Sequence, residues 1–141
     1  SIYQPGDPCI HVVWRVPASE EKNMDTFWKE HEEWMRATHV MGDVAGDKPR
    51  LLHFYIAKGP EMKDPLNPTP EPTGDLLYIM SESYIAGEDI AKHMEKCGKE
   101  KGEWMKQMMA YHGKYGQHMD MGTTTNFTAL SDNQQPSIYQ P

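Results

Sequence analysis

Of the side chains able to move a proton or hold a metal near neutral pH, this chain of 141 residues carries seven histidines and two cysteines. His31 stands between Trp28 and Trp34 on an apolar stripe of helical spacing, where an imidazole is either a satisfied core group or a pocket base. His93 lies a turn into a second helix and faces either the pocket or solvent. His112 and His118 bracket the end of that helix, with Met108, Met109, Met119 and Met121 around them in sequence. Thioether sulfur beside imidazole suits copper, but the spacing repeats no ligand box, and no metal site is expected. His39 and His53 are expected to meet where the first helix turns into the second strand, and His11 to line the outer face of the first strand. Cys9 and Cys97 lie far apart without a CxxC pairing, so they make neither a zinc pattern nor a disulfide framework. There is no GxSxG elbow, HExxH pair, Walker loop or dinucleotide fingerprint, which removes the usual support for hydrolase, zinc-protease and nucleotide readings. Asn126-Phe127-Thr128 spells a glycosylation triplet, but in a predicted strand, and carries little weight.

The elements that must position these groups follow from periodicity. Residues 9–16 (CIHVVWRV) alternate, with Ile10, Val12, Trp14 and Val16 on one face, and read as a strand. Ser19 and the acidic residues after it suit a helix start, and Met24, Phe27, Trp28, His31, Trp34, Met35 and Thr38 recur at steps of three and four, with Gly42 as the stop. Residues 51–57 (LLHFYIA) predict a second strand. Five prolines between Gly59 and Asp75 predict an extended loop with no ladder. Residues 75–84 (DLLYIMSESY) predict a third strand with Leu76, Tyr78, Met80 and Glu82 facing one way. Ile90, Met94, Cys97, Lys101, Trp104, Met105, Met108 and Tyr111 mark a second helix, weak at Gly98 and Gly102. Residues 118–130 predict a last, threonine-rich strand with Gly122 at a bulge.

The order is β-α-β-β-α-β: an α+β, ferredoxin-like unit of four antiparallel strands with two helices on one face, in a single domain over residues 9–131 between arms at 1–8 and 132–141. A formal charge of −7 argues against nucleic-acid and anionic-membrane surfaces. No run approaches the roughly 18 apolar residues of a spanning helix, and the opening SIYQPGDP has neither the basic nor the apolar region of a signal peptide. The pentapeptide Ser1-Ile2-Tyr3-Gln4-Pro5 recurs as Ser137-Ile138-Tyr139-Gln140-Pro141, 136 positions on, which suggests either one unit of a tandem array or a duplicated tail.

Strands one to three carry apolar or aromatic residues on both faces, so the face away from the helices is expected to pack on another sheet, and a second copy supplies one. In this respect the chain resembles the dimeric α+β barrel superfamily over about residues 9–131. The stretch Leu76-Leu77-Tyr78-Ile79-Met80-Ser81-Glu82-Ser83-Tyr84, followed by Ala86-Gly87-Glu88-Asp89-Ile90-Ala91-Lys92-His93-Met94, is similar to the third strand and helix start of antibiotic-biosynthesis-monooxygenase-like proteins, where a strand ending in an acidic residue leads to a helix with a histidine one turn in.

The resemblance implies a dimeric barrel with a cavity between sheet and helices. It implies cofactor-independent oxygenation of an aromatic or polycyclic substrate, with His31 and His93 as the bases. Trp28, Trp34, Tyr55, Tyr78 and Trp104 then line the ligand, joined at the wall by Trp14, for which, as for Trp104, a core role is the stronger reading. An aromatic wall with a few polar tips suits a flat, conjugated, apolar ligand. Two other readings stand beside it. One is a non-catalytic binding or structural module of a tandem-repeat polyprotein, assembled into a homodimer or higher array through the sheet face and terminal arms. The other is haem binding through His93 or His112.

Overall fold

The computed structural model describes residues 3–67, 69 and 71–130. The alternation in the first strand is realised in β1 (Pro8–Pro17), where Ile10, Val12, Trp14 and Val16 are buried to 1% exposure or less. A 3-10 turn over Ala18–Glu20 leads into α1 (Glu21–Thr38), so Ser19 sits in that turn and makes no cap. Met24, Phe27, Trp28, His31 and Met35 form its buried face. The helix ends before Gly42, because His39 is extended and its N–H closes on the Met35 carbonyl at 3.0 Å. Next come β2 (Val40–Met41), β3 (Arg50–Met62), β4 (Pro72–Tyr84), α2 (Gly87–Glu100), α3 (Gly102–Tyr115) and β5 (Gly116–Thr125).

The α+β class is present, but the four-stranded antiparallel sheet with two helices is not. The sheet has five strands in the order β2-β3-β4-β1-β5 and is mixed, because Val40 and Met41 run parallel to Arg50 and Leu51. Two residues are too few to show a period, which is why the sequence gives no sign of β2. The long second helix is two helices: Lys101 leaves the helical region (φ −125°, ψ 27°) and Gly102 starts α3. The proline-rich segment is also shorter than expected. Pairing of β3 with β4 continues through Gly59–Leu77 and Pro60–Leu76 to Met62–Pro72. Pro60 is tolerated because, beyond Leu51, no strand pairs with the outer edge of β3 among the described residues, so its missing N–H breaks no ladder. Pro68, Pro70 and the second copy of the pentapeptide lie outside the described residues. In β5 the expected bulge is found at Gly122, with φ +103° and a register step between Cys9–Thr124 and Ile10–Met121. The strand ends at Thr125, so the glycosylation triplet lies just beyond it.

All three helices cover one face of the sheet. Trp14 from β1 meets Phe27 and Trp28 of α1 and Tyr111 of α3, with ring centroids 5.0–5.9 Å apart. Removing aromatic side chains of this size from water is the main source of stability here, at about 1.5–3 kcal/mol for each large apolar group buried. The opposite face is more polar than expected. Asp120 accepts from His11 (3.0 Å), His118 (2.7 Å) and the Thr124 hydroxyl (2.6 Å), and His53 meets Ser81 at 2.8 Å. Ile79 and Tyr55 lie exposed on the same face. No helix among the described residues is long and apolar enough to cross a membrane.

Candidate functional site

Because among the described residues β3 has no neighbour on its outer side beyond Leu51, and α2 and α3 cover the other end of the sheet, α1 only half-covers Phe54 and Ile56 and leaves Lys58 exposed. Two adjoining hollows result along α1. The first, about 310 Å³, lies among Asp25, Trp28, Lys29, Phe54, Ile56, Lys58 and Tyr78. The second, about 400 Å³, runs on past Met35, Arg36, His39, Met41 and Leu51. Glu32 and Phe54 border both, so the two form one groove. Its far end is polar: Lys58 pairs with Asp25 at 2.7 Å and Glu21 at 3.0 Å, and the Tyr78 hydroxyl donates to Asp25 at 2.8 Å.

Behind the groove lies a buried polar set that strand alternation and helix spacing assemble together. Glu82 shares the helix-covered face of β4 with Tyr78, Met80 and Tyr84, and is 1% exposed. Its Oε1 accepts the Tyr84 hydroxyl at 2.5 Å and lies 3.7 Å from His93 Nε2. His93 Nδ1 meets His39 Nε2 at 2.9 Å, and His39 Nδ1 meets the Thr38 hydroxyl at 2.8 Å. The proton positions follow in order. The Thr38 hydroxyl donates to the Trp34 carbonyl at 2.7 Å, so its oxygen accepts from His39 Nδ1–H. His39 Nε2 then carries the lone pair and accepts from His93 Nδ1–H. That leaves His93 Nε2 as an acceptor, 3.7 Å from the Cys97 thiol.

The charges agree with this assignment. Burial lowers His39 to about 4, helped by Lys96, and lowers His93 to about 3, helped by His39. Burial raises Glu82 to about 7 against the opposing Tyr84 hydrogen bond, and pushes the Cys97 thiol up to about 12. The 3.7 Å approach of Glu82 to His93 is therefore a contact of a neutral acid with a neutral imidazole below pH 7, not an ion pair.

His31 adjoins this set. Its ring lies between Trp104, stacked at 4.1 Å and 10°, and Trp34, stacked at 5.6 Å and 21°. Lys101 Nζ sits 4.6 Å over Trp104 and 5.5 Å over Trp34. Burial, then the neighbouring His93, Lys101 and His39, hold the His31 imidazole well below its usual range. Its Nδ1 is buried and has no hydrogen-bond partner. A small cavity of about 20 Å³ lies beside it among Glu82, His93, Cys97 and methionines that include Met80 and Met121.

The residues singled out from the sequence thus fall into three places. His31, His93, Trp34 and Trp104 cluster in the interior, where Trp104 Nε1 also donates to the Phe27 carbonyl at 3.1 Å. Trp28 and Tyr78 line the groove. Tyr55 is on the opposite face of the sheet, half exposed and stacked on His53. His39 and His53 do not meet, because the parallel strand β2 carries the chain away between them. His39 turns inward to His93 while His53 bonds Ser81 and Tyr3. His112 accepts Trp14 Nε1 at 3.0 Å, a core role. Among the described residues, no group of three or more histidine, cysteine or acidic side chains is placed to hold a metal ion. Glu82, Tyr84 and His39 complete this interior set, although the sequence pattern marks none of them as a site residue. The available signal was a carboxylate sharing a strand face with Leu76, Tyr78 and Met80.

What fold and site define is an α+β protein with an open groove beside an uncharged acid–imidazole interior. The chain matches no protein-family model, no curated protein and no solved structure.

Proposed function

We propose that this chain binds a small, flat aromatic molecule in the groove between α1 and β3 and oxygenates it without a cofactor, as its resemblance to the antibiotic-biosynthesis-monooxygenase-like proteins implies. The observation that carries the reading is the adjacency of an aromatic groove to neutral imidazoles: a ligand between Trp28 and Phe54 lies one side chain away from His31. A neutral, desolvated imidazole is a proton acceptor with its lone pair available. Withdrawal of a phenolic or enolic proton makes the substrate an electron-rich anion able to give one electron to dioxygen. The substrate radical and superoxide then join at a ring carbon, and the imidazolium returns its proton to the peroxide. Loss of water from that hydroperoxide, with the remaining C–H proton, leaves a carbonyl. In sum, CH2 and O2 become C=O and H2O.

Anthrone is a suitable probe, with binding followed by tryptophan fluorescence and turnover by anthraquinone formation and oxygen uptake. Saturable quenching, one O2 consumed per quinone and a rate well above buffer are expected. Quenching without turnover would leave a binding protein and discard the oxygenase; neither would refute the groove reading. The same reading pairs two copies across the open sheet face, where Ile79 and Tyr55 are exposed. Sedimentation equilibrium checks this, and a monomer throughout argues against it.

A further inference from the structure

Phe54 occupies a position between the two halves of the site. It borders both hollows of the groove, its register partner on β4 is Glu82, and its ring stands 5.8 Å from that of His31 at 65°. His31 itself does not border the groove; it borders the inner cavity with Glu82 and His93. Both flat faces of the His31 imidazole are taken by Trp34 and Trp104. The ring edge is left for chemistry: the residue is 2% exposed, and its Nδ1 is buried without a hydrogen-bond partner. A buried polar atom with no partner is uncommon in a folded chain and calls for an explanation. Stacking fixes the ring, and the cost of the unpaired atom is recovered when a ligand group reaches it.

We infer that Phe54 is the gate of this site: it swings aside to let a ligand hydroxyl pass from the groove to His31 Nδ1, and it stays in place beside a ligand with no hydroxyl to offer. The inference rests on the groove reading above and adds the chemistry of the recognised group. A hydroxyl suits Nδ1 as a donor to a neutral nitrogen, and Trp28, Phe54 and Ile56 in the groove take the ring that carries it. A ligand without a hydroxyl stays in the groove and leaves Phe54 in place, whereas a hydroxylated one displaces the ring and recovers that cost in a hydrogen bond to Nδ1. Phe54 is partly buried and lies at the groove border, so it has space to rotate into without disturbing β3.

The test compares 1-naphthol with naphthalene by fluorescence titration on the full chain, in wild type, Phe54→Ala, Phe54→Leu and the double variant Phe54→Ala/His31→Phe. Wild type is expected to prefer 1-naphthol. Shortening Phe54 should tighten 1-naphthol by roughly tenfold relative to naphthalene, the size of one hydrogen bond to a buried group no longer opposed by displacement of the ring. Phe54→Leu, which keeps most of the apolar contact, should give a smaller gain of the same sign. His31→Phe, which preserves the stack between Trp34 and Trp104, should abolish the gain. Equal gains for both probes, or a gain that survives His31→Phe, would overturn the gate while leaving the groove intact. Failure of every variant to bind either probe would overturn the groove reading and the gate together.

Discussion

Replacing Glu82 by glutamine tests the buried acid directly, because the amide keeps the shape of the carboxyl group and only removes its titration. With its oxygen in the place of Oε1 the amide still accepts the Tyr84 hydroxyl, and that same oxygen is the atom 3.7 Å from His93 Nε2, so both contacts of the buried acid keep their geometry. In the folded chain Glu82 titrates at about 7 against an ordinary 4.5. For an acid whose folded pKa is raised, the native state holds the extra proton between those values, so stability falls as pH rises through this window and the penalty is complete above it. A shift of this size corresponds to about 3 kcal/mol at pH 8 and to almost nothing below pH 4.5. Glu82→Gln should therefore differ little from wild type near pH 5 and become more stable by about 3 kcal/mol near pH 8, roughly 10 °C in melting temperature for a chain of this length. Urea unfolding of both proteins across about pH 5 to 8 reads the divergence. Two parallel stability curves would show that Glu82 does not titrate there, and would remove the neutral acid from the site.

On the acid side the sign reverses. His39 and His93, lowered to about 4 and about 3, bind fewer protons folded than unfolded below 6.5, so each subtracts about 1.4 kcal/mol per pH unit as the pH falls through that window. Two imidazoles outweigh one carboxyl group, and wild-type stability should peak near pH 6.5; a plateau down to about pH 4 would contradict the neutral assignment. Asp89 is fully buried at the start of α2 and accepts from Arg50 Nε and Nη2, both at 2.9 Å, and from the backbone N–H groups of Arg50 and Ala86. Asp89→Ala leaves Arg50 Nε and the two backbone N–H groups without their acceptor and should cost about 3 kcal/mol, the lower end for a broken buried pair because Asp43 and Glu88 still hold the guanidinium. An unchanged urea midpoint would show that the clasp does not hold α2.

The long elements were legible because each shows its period. The stripe from Met24 to Met35 and the alternation from Ile10 to Val16 each place one kind of side chain at a fixed interval, and the structure buries those residues. What escaped has no period. Val40–Met41 is shorter than one repeat of any pattern, whereas the interruption of the second helix at Lys101 falls beside Gly102, one of its two weak glycines. The site was half legible for a related reason. His31 and His93 stand out because an imidazole interrupts an apolar face, and the motif-like stretch set Glu82 and His93 in one sentence of sequence. That His39 joins them depends on a chain reversal after Thr38 that brings positions 54 residues apart within 2.9 Å, and local spacing carries no trace of it.

The outer edge of β3 bears on how the molecule behaves in company. Among the described residues nothing pairs with this strand's outer side from Leu52 onward, which leaves backbone donors and acceptors along the rim of the groove, the kind of border on which a stray extended segment can add itself. Lys58, Gly59 and Pro60 follow one another on that border: a charge that resists burial, a residue with no side chain to pack, and one that cannot donate. They allow a small molecule to lie beside the strand while discouraging a second backbone from running along its whole length. Charge and proline at this edge thus favour an open groove over growth of the sheet.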